Sequence, residues 1–190
     1  TFRYNHGFAK EDFVIGIIGR IDEQKGQLEL LKAFAKISKQ FSKTQLLFVG
    51  EPTKGEPKQE KYFSHLKEQV SKNKLDKKVH FIGFQKETNV LTANLDLFVL
   101  ASHQETFGYV VVEAMASGVP VLATQAGGVP EILDQGESGF LCQQKNWEDL
   151  SEKLVHILSH PEERKKKMEK GLEKARSFYD RDKVYQRFID

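Results

Sequence analysis

Two cations stand close together in Gly19-Arg20-Ile-Asp-Glu-Gln-Lys25-Gly26. Arginine offers a planar fork of donors, lysine a compact charge, and the first N–H groups of a following helix lack partners of their own. Together these groups can hold an anion such as a phosphate. On this segment alone, two ordinary surface cations are an equal alternative. Neither GxxxxGK(S/T) nor GxGxxG occurs here, so a P-loop and a dinucleotide fingerprint are unsupported. A second segment, Ala101-Ser-His-Gln-Glu105-Thr-Phe-Gly108, runs into a helix that carries Glu113. Glycine at a helix entrance permits close approach by a ligand, and the N–H groups near Phe107, Gly108 and Tyr109 would face an anion there. A carboxylate inside an apolar helix, such as Glu113, can accept hydrogen bonds from paired sugar hydroxyls. The plainer alternatives are a surface salt bridge for Glu113 and favourable charge near a helix N-terminus for Glu105. A third segment, Gln125-Ala-Gly127-Gly128-Val-Pro130-Glu131, puts two glycines before a short helix. That suits either ligand approach or a tight turn.

The elements that must position these residues alternate in period. Short apolar runs at Phe13–Gly19, Gln45–Gly50, Val79–Gly83, Leu95–Leu100, Val119–Thr124 and Gly139–Cys142 read as buried strands. Between them, Gln24–Phe41, about Gln59–Lys72, Glu87–Asn94 and Tyr109–Ser117 read as helices, with a helical turn through Ile132. Trp147–Leu158 is an amphipathic helix, Pro161 suits the first position of the next one, and a last helix is expected from about Asp182 to Ile189. Strands alternating with helices predict an α/β Rossmann-like three-layer sandwich: a parallel six-stranded sheet with helices on both faces. Ligands of such sheets sit beyond the C-terminal strand ends. The three loops therefore converge. Two cations, several helix entrances and two carboxylates fit a molecule with both phosphate and hydroxyls, such as a nucleoside diphosphate sugar.

Composition narrows the classes. The 190 residues suffice for one full-sized domain. A net charge of +2 excludes bulk electrostatic binding to nucleic acid or anionic membrane, yet leaves room for a local anion site. Hydrophobic residues at 39%, with 14 Phe, supply a packed core. The lone Cys142 excludes an internal disulfide and a cysteine-based zinc site, and fits a reducing compartment. No apolar run approaches the ~20 residues that span a bilayer. The Arg164-Lys-Lys-Lys167 run reads as a solvated helix face. The start at Thr1 suggests a fragment of a longer protein.

The stretch from Glu105 through Glu113 to Glu131 resembles the E-x7-E signature region of the group 1 retaining glycosyltransferases. Gly19–Gly26 resembles that family's phosphate loop. The resemblance runs from Phe13 to Leu158 with the motifs in matching order. It implies a GT-B fold, two Rossmann-like domains facing a cleft, of which this chain is the C-terminal donor-binding one. Residues 1–12 would be a remnant of the interdomain linker, 13–160 the nucleotide-sugar-binding domain, and 161–190 a helical tail packing on it.

The resemblance also implies roles. Arg20 and Lys25 would hold the diphosphate and act in catalysis with Glu105, with backbone at Phe107 and Gly108 in support. Glu113 would bind the ribose. Glu105, Thr106 and Phe107 would meet the donor sugar, Glu105 positioning it rather than attacking it, and Gly83, Phe84 and Gln85 the base, of UDP or GDP. No cofactor and no metal are expected. Asp180-Arg-Asp182 superficially matches the metal motif of the other transferase fold, but it falls in the C-terminal tail and is assigned to a helix boundary. The expected partners are the nucleoside diphosphate sugar and the chain's own N-terminal acceptor domain, with no nucleic acid. The expected location is cytoplasmic, with peripheral association at the inner membrane face for the full-length protein and a role in polysaccharide biosynthesis. A sugar-nucleotide epimerase and a non-catalytic binding module are the competing classes. The loop Val49-Gly-Glu-Pro-Thr-Lys-Gly55 has no reading of its own.

Overall fold

The computed structural model describes residues 2–178. The apolar runs become six strands: β1 (Phe13–Ile18), β2 (Thr44–Val49), β3 (Val79–Phe81), β4 (Leu97–Leu100), β5 (Val121–Thr124) and β6 (Phe140–Cys142). All neighbouring pairs are parallel, in the order β3-β2-β1-β4-β5-β6. Every residue of β4 and β5 is buried, which is why these runs are continuously apolar rather than alternating. Strand order reverses between β1 and β4, and the crevice beyond that reversal is where an open α/β sheet receives its ligand.

Among the described residues, eight α-helices accompany the sheet: α1 (Phe2–Asn5), α2 (Gln27–Ile37), α3 (Pro57–Lys72), α4 (Thr88–Thr92), α5 (Tyr109–Ala116), α6 (Val129–Ile132), α7 (Trp147–Ser159) and α8 (Pro161–Phe178). They enclose two apolar cores. Phe34 and Leu30 of α2 and Leu154 and Ile157 of α7 pack on Ile15, Leu46, Phe48 and Leu97. On the other face, Val111 and Met115 of α5 and Ile132 of α6 pack on Val14, Leu47, Phe98 and Val121. α8 lies on α5 and buries Ala175 in that second core.

Two expectations are corrected. The helix expected over 24–41 is broken. Glu23–Lys25 is a single 3-10 turn capped by Asp22, whose carboxylate accepts the Gln24 N–H at 2.9 Å, and Gly26 then turns left-handed (φ 67°) before α2 begins. The Arg164–Lys167 run is not wholly a solvated face. The Arg164 guanidinium donates to the Ile157 carbonyl at 2.7 Å and stands 4.8 Å from the Phe13 ring, while Lys167 bonds the Gly136 carbonyl and stands 5.3 Å from the Phe140 ring. These two side chains fasten α8 down through their stems and heads. At the other end of the chain, Arg3 pairs with Asp96, and Phe8 is buried in the second core. Asp180, Asp182 and the helix expected near 182–189 lie outside the described residues. Among the described residues, no helix is long and apolar enough to cross a membrane.

Cys142 ends β6 in the interior. Burial, with a smaller contribution from the Asp149 carboxylate, pushes its thiol up to about 12. The folded protein therefore keeps a neutral thiol at pH 8. Iodoacetamide at that pH is expected to label Cys142 only after denaturant unfolds the chain, as read by intact mass.

Candidate functional site

The loop after β1 is held open by its own polar groups. Asp22 caps the 3-10 turn and also accepts from Gln59 Nε2 at 2.8 Å. The Arg20 carbonyl accepts from the buried Gln27 amide at 2.8 Å. This fixes the backbone while the Arg20 side chain stays exposed, 3.9 Å from Asp22. Lys25 turns the other way. Its ammonium lies 3.4 Å from Glu105 Oε2, and the Glu105 side chain is only 17% exposed. The pair joins the loop after β1 to the loop after β4.

That second loop is bolted from three sides. The His103 N–H donates to the Gln24 carbonyl at 2.8 Å. The His103 ring is buried, with Nε2 3.1 Å from Glu29 of α2. The Ser102 carbonyl accepts from the buried Thr124 hydroxyl at 2.7 Å. Its far end is Gly108, left-handed at φ 98°, with no side-chain cap on α5. Among the described residues, the N–H groups of Gly108, Tyr109 and Val110 have no acceptor, so the helix entrance presents donors to whatever binds there. The Thr106 N–H bonds the Glu105 carboxylate at 3.2 Å. The Phe107 and Tyr109 rings meet with centroids 4.8 Å apart and planes tilted by 46°, and Tyr109 is 73% exposed. One turn further on, Glu113 is exposed and forms no ion pair among the described residues, so the salt-bridge alternative does not hold.

The twin glycines after β5 serve the loop beside them. Gly127 is left-handed (φ 52°), and a Cβ on it would overlap the Glu105 carbonyl. The Gly128 N–H donates to the Thr106 carbonyl at 3.2 Å. The close approach they permit is to the Glu105 backbone. Gly26 works the same way, its missing Cβ leaving room for the Ala101 carbonyl.

A cleft of 390 Å³ opens beside Arg20 and is walled by Phe84 and Gln85. Gly83 is tied to Gly50 through a 2.8 Å backbone bond. Phe84 stands 69% exposed. Glu51 to Lys54, the segment without a reading in the sequence, forms the opposite wall. Its sequence carries no signal that sets it apart from an ordinary strand-end loop. The other missed residues are His103 and Glu29, since one histidine in a loop gives no sign of its partner on a distant helix. The structure thus brings Arg20 together with Phe84 and Gln85, and Lys25 together with Glu105 beside Gly108. No hydrogen bond or ion pair joins Glu113 to any of them. A larger hollow of 640 Å³ beside α8 is lined by none of these residues. Among the described residues, no group of three or more His, Cys, Asp or Glu could hold a metal ion.

Comparison with known proteins shows the family and the fold. Residues 1–174 match the family described as glycosyl transferases group 1. N-acetyl-alpha-D-glucosaminyl L-malate synthase of Bacillus anthracis is 27% identical over 183 residues, 96% of this chain and 46% of that protein. HepE of Anabaena, solved in complex with UDP, superposes with a TM-score of 0.91 at 28% identity, covering 99% of this chain and 50% of HepE. The C-terminal domain of a group 1 family glycosyl transferase from Francisella tularensis superposes at 0.81 with 34% identity, covering 89% of this chain and 87% of that domain. The chain spans about half the length of the curated relatives it matches first.

The glycine contacts predict a specific loss. Gly127→Ala forces both a left-handed alanine and an overlap with the Glu105 carbonyl, and Gly55→Ala forces only the first, since nothing lies near Gly55. In urea melts Gly55→Ala is expected to cost about 1 kcal/mol and Gly127→Ala about 2–4 kcal/mol.

Proposed function

The chain belongs to the group 1 glycosyltransferases, and from that premise we propose that it is the donor-binding half of a retaining enzyme that moves a hexose from a nucleoside diphosphate sugar to an acceptor held by a separate N-terminal domain. The observation that carries this reading is the Lys25–Glu105 contact at the C-terminal end of the sheet. It sets a cation suited to phosphate beside a carboxylate suited to sugar hydroxyls.

In this reading the diphosphate lies between Arg20, Lys25 and the free N–H groups at the start of α5. When the bond from the anomeric carbon to the diphosphate breaks, negative charge grows on the leaving oxygens. A guanidinium, an ammonium and fixed backbone dipoles already surround that position, so stabilising the charge needs little reorganisation. Glu105 accepts from a sugar hydroxyl while Lys25 and the Thr106 N–H hold its carboxylate in place. That divided engagement suits positioning and leaves Glu105 without the role of nucleophile. Glu113 accepts from the ribose hydroxyls. The base enters the cleft beside Arg20, between Phe84 and the Glu51–Lys54 segment, where the exposed phenylalanine offers a stacking face. Crystals of HepE hold UDP and UDP-glucose, which favours uridine as the base here. Without an acceptor domain to orient the second substrate, this chain alone transfers slowly or not at all.

Calorimetry with UDP, GDP and ADP tests the reading. UDP is expected to bind, and Arg20→Ala and Lys25→Ala are each expected to weaken it by about 10- to 100-fold, the value of a charge-assisted contact or two. Glu113→Gln should weaken UDP by less. A folded chain that binds none of the three nucleotides would overturn the proposal.

A further inference from the structure

The face covered by α2 and α7 carries a second concentration of cations that donor binding leaves unused. Lys32, Lys36 and Lys39 follow one another at steps of four and three residues, which stacks them on one side of α2 and its end. All three are exposed. Six lysines among the described residues, Lys25, Lys43, Lys165, Lys167, Lys170 and Lys174, each have a carboxylate within 4.0 Å. Lys32, Lys36 and Lys39 have none among the described residues. They border a hollow of 380 Å³ whose other walls are Ala35, the amides Gln69 and Asn73 and the indole of Trp147, the first residue of α7. Lys36 Nζ lies 5.9 Å from the indole centroid. No carboxylate lines the space.

Like charges one turn apart on a helix repel, so an anion held among them removes a cost as well as adding contacts. Three ammoniums supply up to nine N–H donors, which suits a phosphate and its several acceptor oxygens. Two neutral amides and a flat aromatic face suit the hydroxyl-bearing body attached to it. We propose that this hollow is a second ligand site, for a small phosphate ester such as a sugar phosphate. It is separate from the donor cleft: Lys36 lies about ten residues along from Gly26, roughly 15 Å at the rise of an α-helix.

Trp147 is the chain's only tryptophan, so its fluorescence reports on this hollow alone. Glucose 6-phosphate is the probe, added to the full chain with and without saturating UDP, with glucose and phosphatidylglycerol vesicles as parallel arms. Calorimetry runs alongside to register binding that leaves the indole unperturbed. The expected result is saturable binding of glucose 6-phosphate that UDP does not displace and glucose does not reproduce. The double variant Lys36→Gln/Lys39→Gln should melt at the parent temperature and bind about tenfold more weakly or worse. The proposal is overturned by no saturable binding in either measurement, by displacement with UDP, or by binding that survives the double variant. It is also overturned by a response confined to the vesicles, which would make this face a membrane-docking surface.

Discussion

Backbone-to-backbone contact between loops is the constraint on which the rest of the site depends. Four strand-end loops, those after β1, β2, β4 and β5, approach one another so closely that a single Cβ does not fit between them. Gly26 meets the Ala101 carbonyl, Gly127 meets the Glu105 carbonyl, and Gly50 meets the Gly19 carbonyl. Each contact couples the loop of one strand to that of another, so the loops form one layer rather than separate flaps. Side-chain hydrogen bonds then lock the layer: Thr124 onto Ser102, Gln27 onto Arg20, and Gln59 onto Asp22. A ligand that arrives at such a surface finds its donors already in place, and little ordering entropy remains to be lost.

The charges follow from that layer. A net charge of +2 spread over 190 residues gives no long-range field worth the name. What matters is which charges are compensated. Lys25 is paired with Glu105, and His103 sits against Glu29 just beneath. Arg20 is left reaching into the open beside Asp22, and the first turn of α5 adds uncompensated N–H dipoles. The site is thus electropositive over a few ångströms only, which favours an anion that also brings hydrogen-bonding groups for the carboxylates.

Much of this was legible in the sequence, for a physical reason. Parallel strands buried on both faces must be continuous apolar runs, so Phe13–Ile18 and Leu97–Leu100 announce themselves, and glycines and cations just past them mark the ligand edge. Arg20, Lys25, Glu105 and Gly108 are readable because their chemistry is local. The break at Gly26 was not readable, because a glycine at the edge of a helical pattern costs little to pass over, and the carbonyl that forces the break comes from Ala101, far along the chain. The sequence leaves Gly127 between ligand approach and a tight turn for the same reason: the backbone it admits belongs to Glu105, in another loop. His103 with Glu29, and the wall from Glu51 to Lys54, exist only once the fold has brought distant segments together. The solvated look of Arg164–Lys167 misled because long cationic side chains can lie over aromatic rings while their charges reach carbonyls.

The strand order also governs how the chain comes to be folded. β1 is central in the sheet, yet its neighbour β4 is supplied by a segment far downstream. Asp96, whose carboxylate accepts the Val14 N–H of β1 at 2.8 Å, is 82 residues further along the chain. Until that segment is available, one side of β1 is an unpaired apolar edge of the sort that invites pairing with other chains. Non-local parallel pairing is slow to form because loop closure must precede its reward. The first three strands can assemble early, but the middle of the molecule closes only when β4 arrives, and a chain cut before Leu97 would leave β1 open along one edge. The same reversal of strand order that creates the ligand crevice therefore makes the crevice one of the last features of the molecule to form.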